Sequence, residues 1–94
     1  MITEFENICV CCGKPKEEVH HLVFGRGLRD LADADNLTAP LCRDCHKAIH
    51  ETGIGGHLSK IIGQLEFEAQ LIEKGLPREI ARENFRKRYG RSYL

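Results

Sequence analysis

The stretch "LCRDCHKAIHE", residues 41–51, places Cys42, Cys45, His46 and His50 within nine positions. Thiolates and neutral imidazoles are the side chains that ligate borderline-soft divalent ions, so the chemistry on offer is metal binding. Helix geometry decides whether they serve one ion or two. From about Arg43 to Glu51 the residues suit a helix, which "TGIGG" is expected to end. His46 and His50 are four apart and share one helix face, so both rings can reach a single ion. Cys45 and His46 are adjacent, and adjacent helical residues point about 100° apart. Four donors crowded in this way do not close around one ion, and each pair needs partners elsewhere.

The cysteines find theirs in "CVCCG". Cys9 and Cys12 form one C-x-x-C knuckle, Cys42 and Cys45 a second, with 29 residues between them. Paired knuckles of this spacing predict a closed tetrathiolate site for structural zinc. Gly13 supplies the turn behind Cys12, whereas using Cys11 would break the spacing. Cys11 is therefore the spare, expected as a small buried hydrophobe. The histidines find theirs in "EVHHLVF", residues 18–24, which reads as a strand. In a strand His20 and His21 point to opposite sides, so one of them can join His46 and His50 while the other faces away. Three protein ligands with positions left open for water or phosphate are what a catalytic metal requires. His57 is left over and is expected at the surface near a helix N-terminus.

The elements that must carry these groups fall into three blocks. Residues 8–52 hold every cysteine and four of the five histidines. There "GRGLRDLADAD" reads as a polar loop, and "NLTAPL" as a second extended segment that Pro40 confines to an edge or turn. The second block, about Leu58 to Lys74, spaces Leu58, Ile61, Ile62, Leu65, Ala69 and Ile72 for a helix, with Gly75 as its C-cap. We assign this stripe to internal core rather than to a dimer surface. Gly63 within it disfavours the helix by about 1 kcal/mol against Ala, which suggests close packing there. The third block runs from Pro77 to about Tyr89, with Ile80, Ala81, Phe85 and Tyr89 on its apolar side. The expected class is α+β: a small ββα-metal core with a four-cysteine zinc site, followed by two C-terminal helices (residues 58–90) in one domain, 1–94.

Size and charge bound the function. A chain of 94 residues supports one core, and small cores are often stapled by metals. With six aromatics and no Trp, the core is expected to be mainly Leu, Ile and Val. Five cysteines fit a closed disulfide framework poorly, and "MITEFENICV" is no signal peptide, which together favour a reducing cytoplasm. No stretch is apolar enough to span a bilayer, so no membrane role is expected. The chain carries 14 basic and 14 acidic residues, unevenly spread. Seven of the basic ones lie between Lys74 and Leu94, against Glu79 and Glu83 alone, an asymmetry compatible with nucleic-acid contact.

Together, "HH" at 20–21, "NL" at 36–37, "LCRDCHKAIH" at 41–50 and the "CVCCG" knuckle resemble the HNH endonuclease family, the ββα-metal nucleases. The resemblance covers residues 9–50, and the tail "FRKRYGRSYL" also resembles the ending of small phage-encoded HNH-like proteins. It implies that His20 is a ligand of the catalytic ion with His46 and His50, and that His21 is the general base. It also implies that Asn36, at the family's middle position, holds the base-bearing strand and so orients His21. The implied activity is metal-dependent hydrolysis of DNA phosphodiesters, in a bacterial host cell if phage-encoded.

The residues suit that chemistry. An imidazole with a pKa near ~6.5 can accept a proton from water at neutral pH, and a divalent ion can act as Lewis acid and leaving-group clamp. No carboxylate cluster accompanies the histidines, so one ion is expected: magnesium, manganese, nickel or zinc. Arg26, Arg29, Arg43 and Lys47 are candidates for contact with DNA phosphates, with little sequence specificity because no base-reading module is present. A domain this small points to a homodimer or a partner protein. The alternative is a non-catalytic zinc-stabilised module of a phage or mobile element that binds DNA or protein, for which the cysteines alone would suffice.

Overall fold

A computed structural model of the chain describes residues 1–94. Two four-residue strands, β1 (Glu18–His21) and β2 (Thr38–Leu41), pair antiparallel with His20 opposite Ala39 and His21 opposite Thr38. Strand alternation sends the His20 ring inward, where it is 1% exposed, and leaves His21 half-buried on the other side. β2 is buried throughout. Its Pro40 lacks a donor, but its carbonyl accepts from Val10 N–H at 2.9 Å, which ties the first cysteine knuckle to the sheet. The knuckle itself turns through Gly13, whose φ of +80° is a conformation that side chains disfavour.

The segment joining the strands is not the polar loop expected for it. Leu28–Ala34 form a helix, α1, because Leu28, Leu31 and Ala32 recur at helical spacing and pack on the core through buried Ala32. α2 (Arg43–Glu51) starts where expected, with the Cys42 sulfur accepting from Cys45 N–H. It is not followed by a glycine linker. Thr52 alone separates it from α3 (Gly53–Glu73), which begins five residues before the expected start. The Thr52 hydroxyl donates to Ala48 carbonyl at 3.1 Å and accepts from Gly55 N–H at 3.0 Å. It thus serves as the end of one helix and the cap of the next. α4 (Arg78–Tyr89) follows the turn at Gly75 and ends at Gly90, as the spacing predicts. The class is α+β: a two-stranded sheet and four helices. No helix is long and apolar enough to cross a membrane.

The main core joins Leu22, Val23, Ala32, Leu37, Ala39, Phe67, Phe85 and Tyr89. It corrects the aliphatic expectation: it contains no Ile, and three of its members are aromatic. Phe85 and Tyr89 stack at 4.5 Å between centroids, and Phe67 meets Phe85 edge-on at 5.4 Å. The helical stripe is corrected too. Leu58, Ile62 and Leu65 are 43–51% exposed, Ala69 is exposed, and α3 buries Ser59, Gly63, Gln64, Phe67 and Glu68 instead. Gly63 explains the rotation. A Cβ there would lie 2.7 Å from Val23 Cγ2 and 3.1 Å from Leu22 Cβ, so the glycine face packs on the chain leaving β1. Ile80 on α4 is likewise 46% exposed, whereas Ala81, Phe85 and Tyr89 are buried.

Candidate metal centres

Cys9, Cys12, Cys42 and Cys45 converge with all four sulfurs within 4.8 Å of one another, and Cys12 Sγ lies 3.6 Å from Cys42 Sγ. Sulfurs at ~2.3 Å around a tetrahedral ion would be roughly 3.8 Å apart, so the donor set fits a metal such as zinc. The local electrostatics agree. Burial opposes ionisation of Cys9, but backbone N–H groups of Cys42, Cys12 and Cys11 aim at its sulfur and bring its pKa down to about 6. Cys45 is pushed well up, first by its contacts with Cys42 and Cys12. One thiolate is favoured and the next opposed, a conflict that a divalent cation removes. Cys9, Leu41 and Cys42 also form a small core of their own, with Ile49 against it. Cys11 stays outside this cluster, as expected, but it is exposed rather than buried.

The second cluster is His20, His46 and His50, whose ring nitrogens also lie within 4.8 Å. His46 and His50 present their Nε2 atoms 3.0 Å apart from one face of α2. The His20 ring stands edge-on to both, at 5.0 and 5.2 Å between centroids. His20 Nε2 lies 2.7 Å from Ser59 Oγ, and the Ser59 hydroxyl donates to the Leu22 carbonyl at 2.8 Å. The serine's single proton is therefore committed, and Nε2–H donates to it. Nδ1 is left with a bare lone pair, buried and without any partner. The opposite tautomer would bury an N–H with no acceptor, at a penalty of about 1–3 kcal/mol. A lone pair left bare on a buried ring that clusters with two further imidazoles suits a divalent ion.

Two of these rings, His20 and His50, are also shifted toward the neutral form. His20 is pushed down to about 4, by burial first and then by repulsion from His46, His50, His21 and Arg29. His50 is lowered in the same way, chiefly by burial and by His46. Glu18 Oε2 stands 3.6 Å from His46 Nδ1, on the side of the ring away from His50. An open cavity of about 410 Å³ lies over the pair, lined by Val19, His21, Phe24, Arg29, His46 and His50. His21 therefore meets the same cavity as His46 and His50 although it leaves β1 on the side opposite His20. Its Nε2 lies 3.1 Å from Asp33 Oδ1 on α1, which accepts from Nε2–H and leaves Nδ1 as the basic nitrogen.

Asp33 is the residue the sequence did not single out. Asn36 is exposed, holds a left-handed turn at φ 60° after α1, and lies outside that cavity. Its turn geometry, which Asn tolerates better than most residues, accounts for its presence there. A helix in place of the loop is what carries Asp33 to His21. Ser59 was also missed, since it sits on a helix in a stripe read as aliphatic. Of the four phosphate-contact candidates, Arg29 lines the cavity and Arg26 is exposed without an ion pair. Arg43 lies against Glu17 at 3.6 Å and Lys47 against Glu51 at 3.8 Å, both outside the cavity. The C-terminal arginines are mostly engaged within the fold. Arg78 and Arg82 bind buried Glu68, Arg86 binds Glu83, and Arg88 binds Asp35.

An α+β chain with a tetracysteine cluster and, beside it, three clustered imidazoles, two of which line an open cavity, defines a small protein with two separate donor sets that could hold metal. The chain belongs to the family described as a protein of unknown function (DUF968), whose model matches residues 5–78 and so spans both clusters. It is 33% identical over 69 residues to "Uncharacterized protein YdfU" of Escherichia coli (strain K12). That match covers 72% of this chain and 20% of the relative, so the chain spans about a fifth of that protein's length. No solved structure matches it.

Proposed function

We propose that the protein is a metal-dependent HNH-type endonuclease acting on DNA phosphodiester bonds, with zinc as a structural pin between the two knuckles. The observation that carries this reading is the buried His20 ring, with its unpartnered Nδ1, clustered with the His46 and His50 rings that line a cavity His21 also meets. A binding module has no use for a desolvated lone pair or for a histidine backed by a carboxylate. Hydrolysis has a use for both.

In this reading His20, His46 and His50 would hold one divalent ion, which supplies Lewis acidity at the phosphate and at the departing 3′ oxygen. The chain's own residues do the rest. His21 Nδ1 accepts the proton of the attacking water, and Asp33 holds the ring in the tautomer that leaves Nδ1 free. Arg29, on the rim, neutralises phosphate charge and orients the backbone. Val19 and Phe24 wall the cavity and limit how much water shares it.

Incubation of supercoiled plasmid with the protein and magnesium, manganese, nickel or zinc tests the proposal. Nicked or linear product is expected with at least one ion, reduced by 10²-fold or more in His21→Ala with folding unchanged. Equal cleavage by His21→Ala would remove the base, and no cleavage with any ion would remove the activity. A second reading has its own support: an apolar groove lined in part by Val10, Leu58 and Ile62 is open on the surface, as in modules that dock a partner protein. That reading expects His46→Ala to leave function intact.

A further inference from the structure

Beyond the metal clusters, the cavity over His46 and His50 continues past Phe24 and His50 into a second hollow of about 320 Å³. Its far side is formed by His57 and Lys60 of α3 and by Arg91 and Tyr93 of the C-terminal tail. Here cations and rings alternate. Lys60 Nζ stands 4.7 Å from the Phe24 ring centre and 5.7 Å from that of Tyr93, while the Arg91 guanidinium lies 4.8 Å over Tyr93. Four of the five arginines from Arg78 onward are tied to carboxylates, whereas neither Lys60 nor Arg91 pairs with one.

The tail is held in place rather than draped. Buried Gln64 accepts from Tyr93 N–H at 2.7 Å and donates to Ser92 Oγ at 2.9 Å. The same Gln64 donates to Glu68, so the tail is fixed to the polar network between α3 and α4. A fold that anchors an aromatic and two uncompensated cations at the open end of a cavity has prepared a surface for a polyanion with flat groups. Single-stranded nucleic acid has that chemistry: phosphates for the cations, bases or sugars for the rings.

We propose that the hollow formed by Phe24, Lys60, Arg91 and Tyr93 is a binding subsite for a nucleic-acid strand, taking the nucleotide next to the phosphate over the histidines. Lys60 and Arg91 hold the phosphate, and the Arg91 guanidinium stacked on Tyr93 offers its outer face to an unpaired base. The placement rests on the nuclease reading, whereas the binding does not. The strand would then be at least locally unpaired on this side of the cut.

Fluorescence anisotropy with a labelled 20-nucleotide single-stranded DNA and its duplex, without added divalent ion, tests the subsite on the full chain. The double variant Lys60→Ala/Arg91→Ala is expected to weaken single-strand binding by 10-fold or more. Its slope of log K against log salt should be shallower by about 1.4, two released counterions at ~0.7 each. Tyr93→Ala should weaken the single strand more than the duplex. Lys74→Ala, which removes an unpaired cation at the far end of α3, should change neither. Unchanged binding by the double variant, or an equal loss in Lys74→Ala, would overturn the subsite. Loss of binding in a protein that cleaves nothing would keep the subsite and end the nuclease reading. Normal cleavage with an unchanged KM in the double variant would do the reverse.

Discussion

His20 has two ring nitrogens in opposite situations, and that contrast makes specific demands on its neighbours. Ser59 fixes the Nε2 proton, so Nδ1 has no option but to be a bare acceptor. Ser59→Ala should therefore leave the fold largely intact while weakening divalent-ion binding at the histidines by roughly 10- to 100-fold, as seen when outer partners of ligands are lost. Calorimetric titration with manganese or nickel measures this, and an unchanged affinity would show that Ser59 is merely core. Asp33 makes the matching demand on His21. Asp33→Asn should lower kcat on plasmid by about 10- to 100-fold with KM unchanged, and Asp33→Glu should restore part of it. A fall in KM-limited binding alone would point to phosphate contact and not to orientation of the ring.

These two residues also mark where the sequence was and was not legible. Cys9, Cys12, Cys42, Cys45, His46 and His50 announce themselves because ligand spacing is local: knuckles and helical turns fix it within a few residues. His20 was separable from His21 only through the family resemblance, since a strand tells that they diverge but not which one turns inward. Ser59 and Asp33 act across 39 and 12 residues respectively, and no local pattern encodes such a meeting. Asn36 occupies a turn outside the cavity, so a hold on the strand, the role the resemblance implies for it, is not fixed by its motif alone.

At the level of elements, α3 governs the arrangement, because Ser59 reaches His20 and Gln64, five residues on, holds the tail. Its register on the sheet depends on Gly63. Gly63→Ala would press a methyl against Val23 and Leu22, both buried, and should destabilise the protein by about 1–3 kcal/mol in urea unfolding. A neutral or stabilising result would mean that the contact relaxes freely. The hydrophobic stripe misidentified this helix's inner face because size and apolarity were weighed without regard to close approach. The buried side instead sets Phe67 among small or polar residues: Ser59, Gly63, Gln64 and Glu68.

Glu68 is the polar anchor between α3 and α4. Burial opposes its charge, but Arg82, Gln64 and Arg78 together hold its carboxyl below the usual carboxylate range. A depressed folded pKa stabilises the fold above the unfolded value, about 4.5, and that contribution fades as pH falls through the folded one. Glu68→Gln should thus lower the urea midpoint at pH 7, with the two proteins converging in acid. A constant difference across pH would assign the effect to packing.

For the whole molecule, a chain of this size gains its order from two small cores, one of mixed aliphatic and aromatic residues and one built around cysteines. The tetracysteine cluster ties the N-terminal knuckle to β2 and to the start of α2, so the helix that presents His46 and His50 is held at its base by sulfur. Loss of that pin should unfold the protein, whereas loss of the histidines should not. Cys9→Ala is expected to lose cooperative thermal unfolding by circular dichroism, and His46→Ala to retain it. Unfolding by both changes, or by neither, would contradict the division of labour between the clusters.

The claim beneath all of this is that sulfur and imidazole serve different ions. Metal content per chain, measured by mass spectrometry after equilibration with excess zinc and gel filtration, tests it most directly. We expect two ions in the wild-type protein and one in the folded His20→Ala/His46→Ala/His50→Ala variant. A single ion in both proteins, or two in both, would contradict the account.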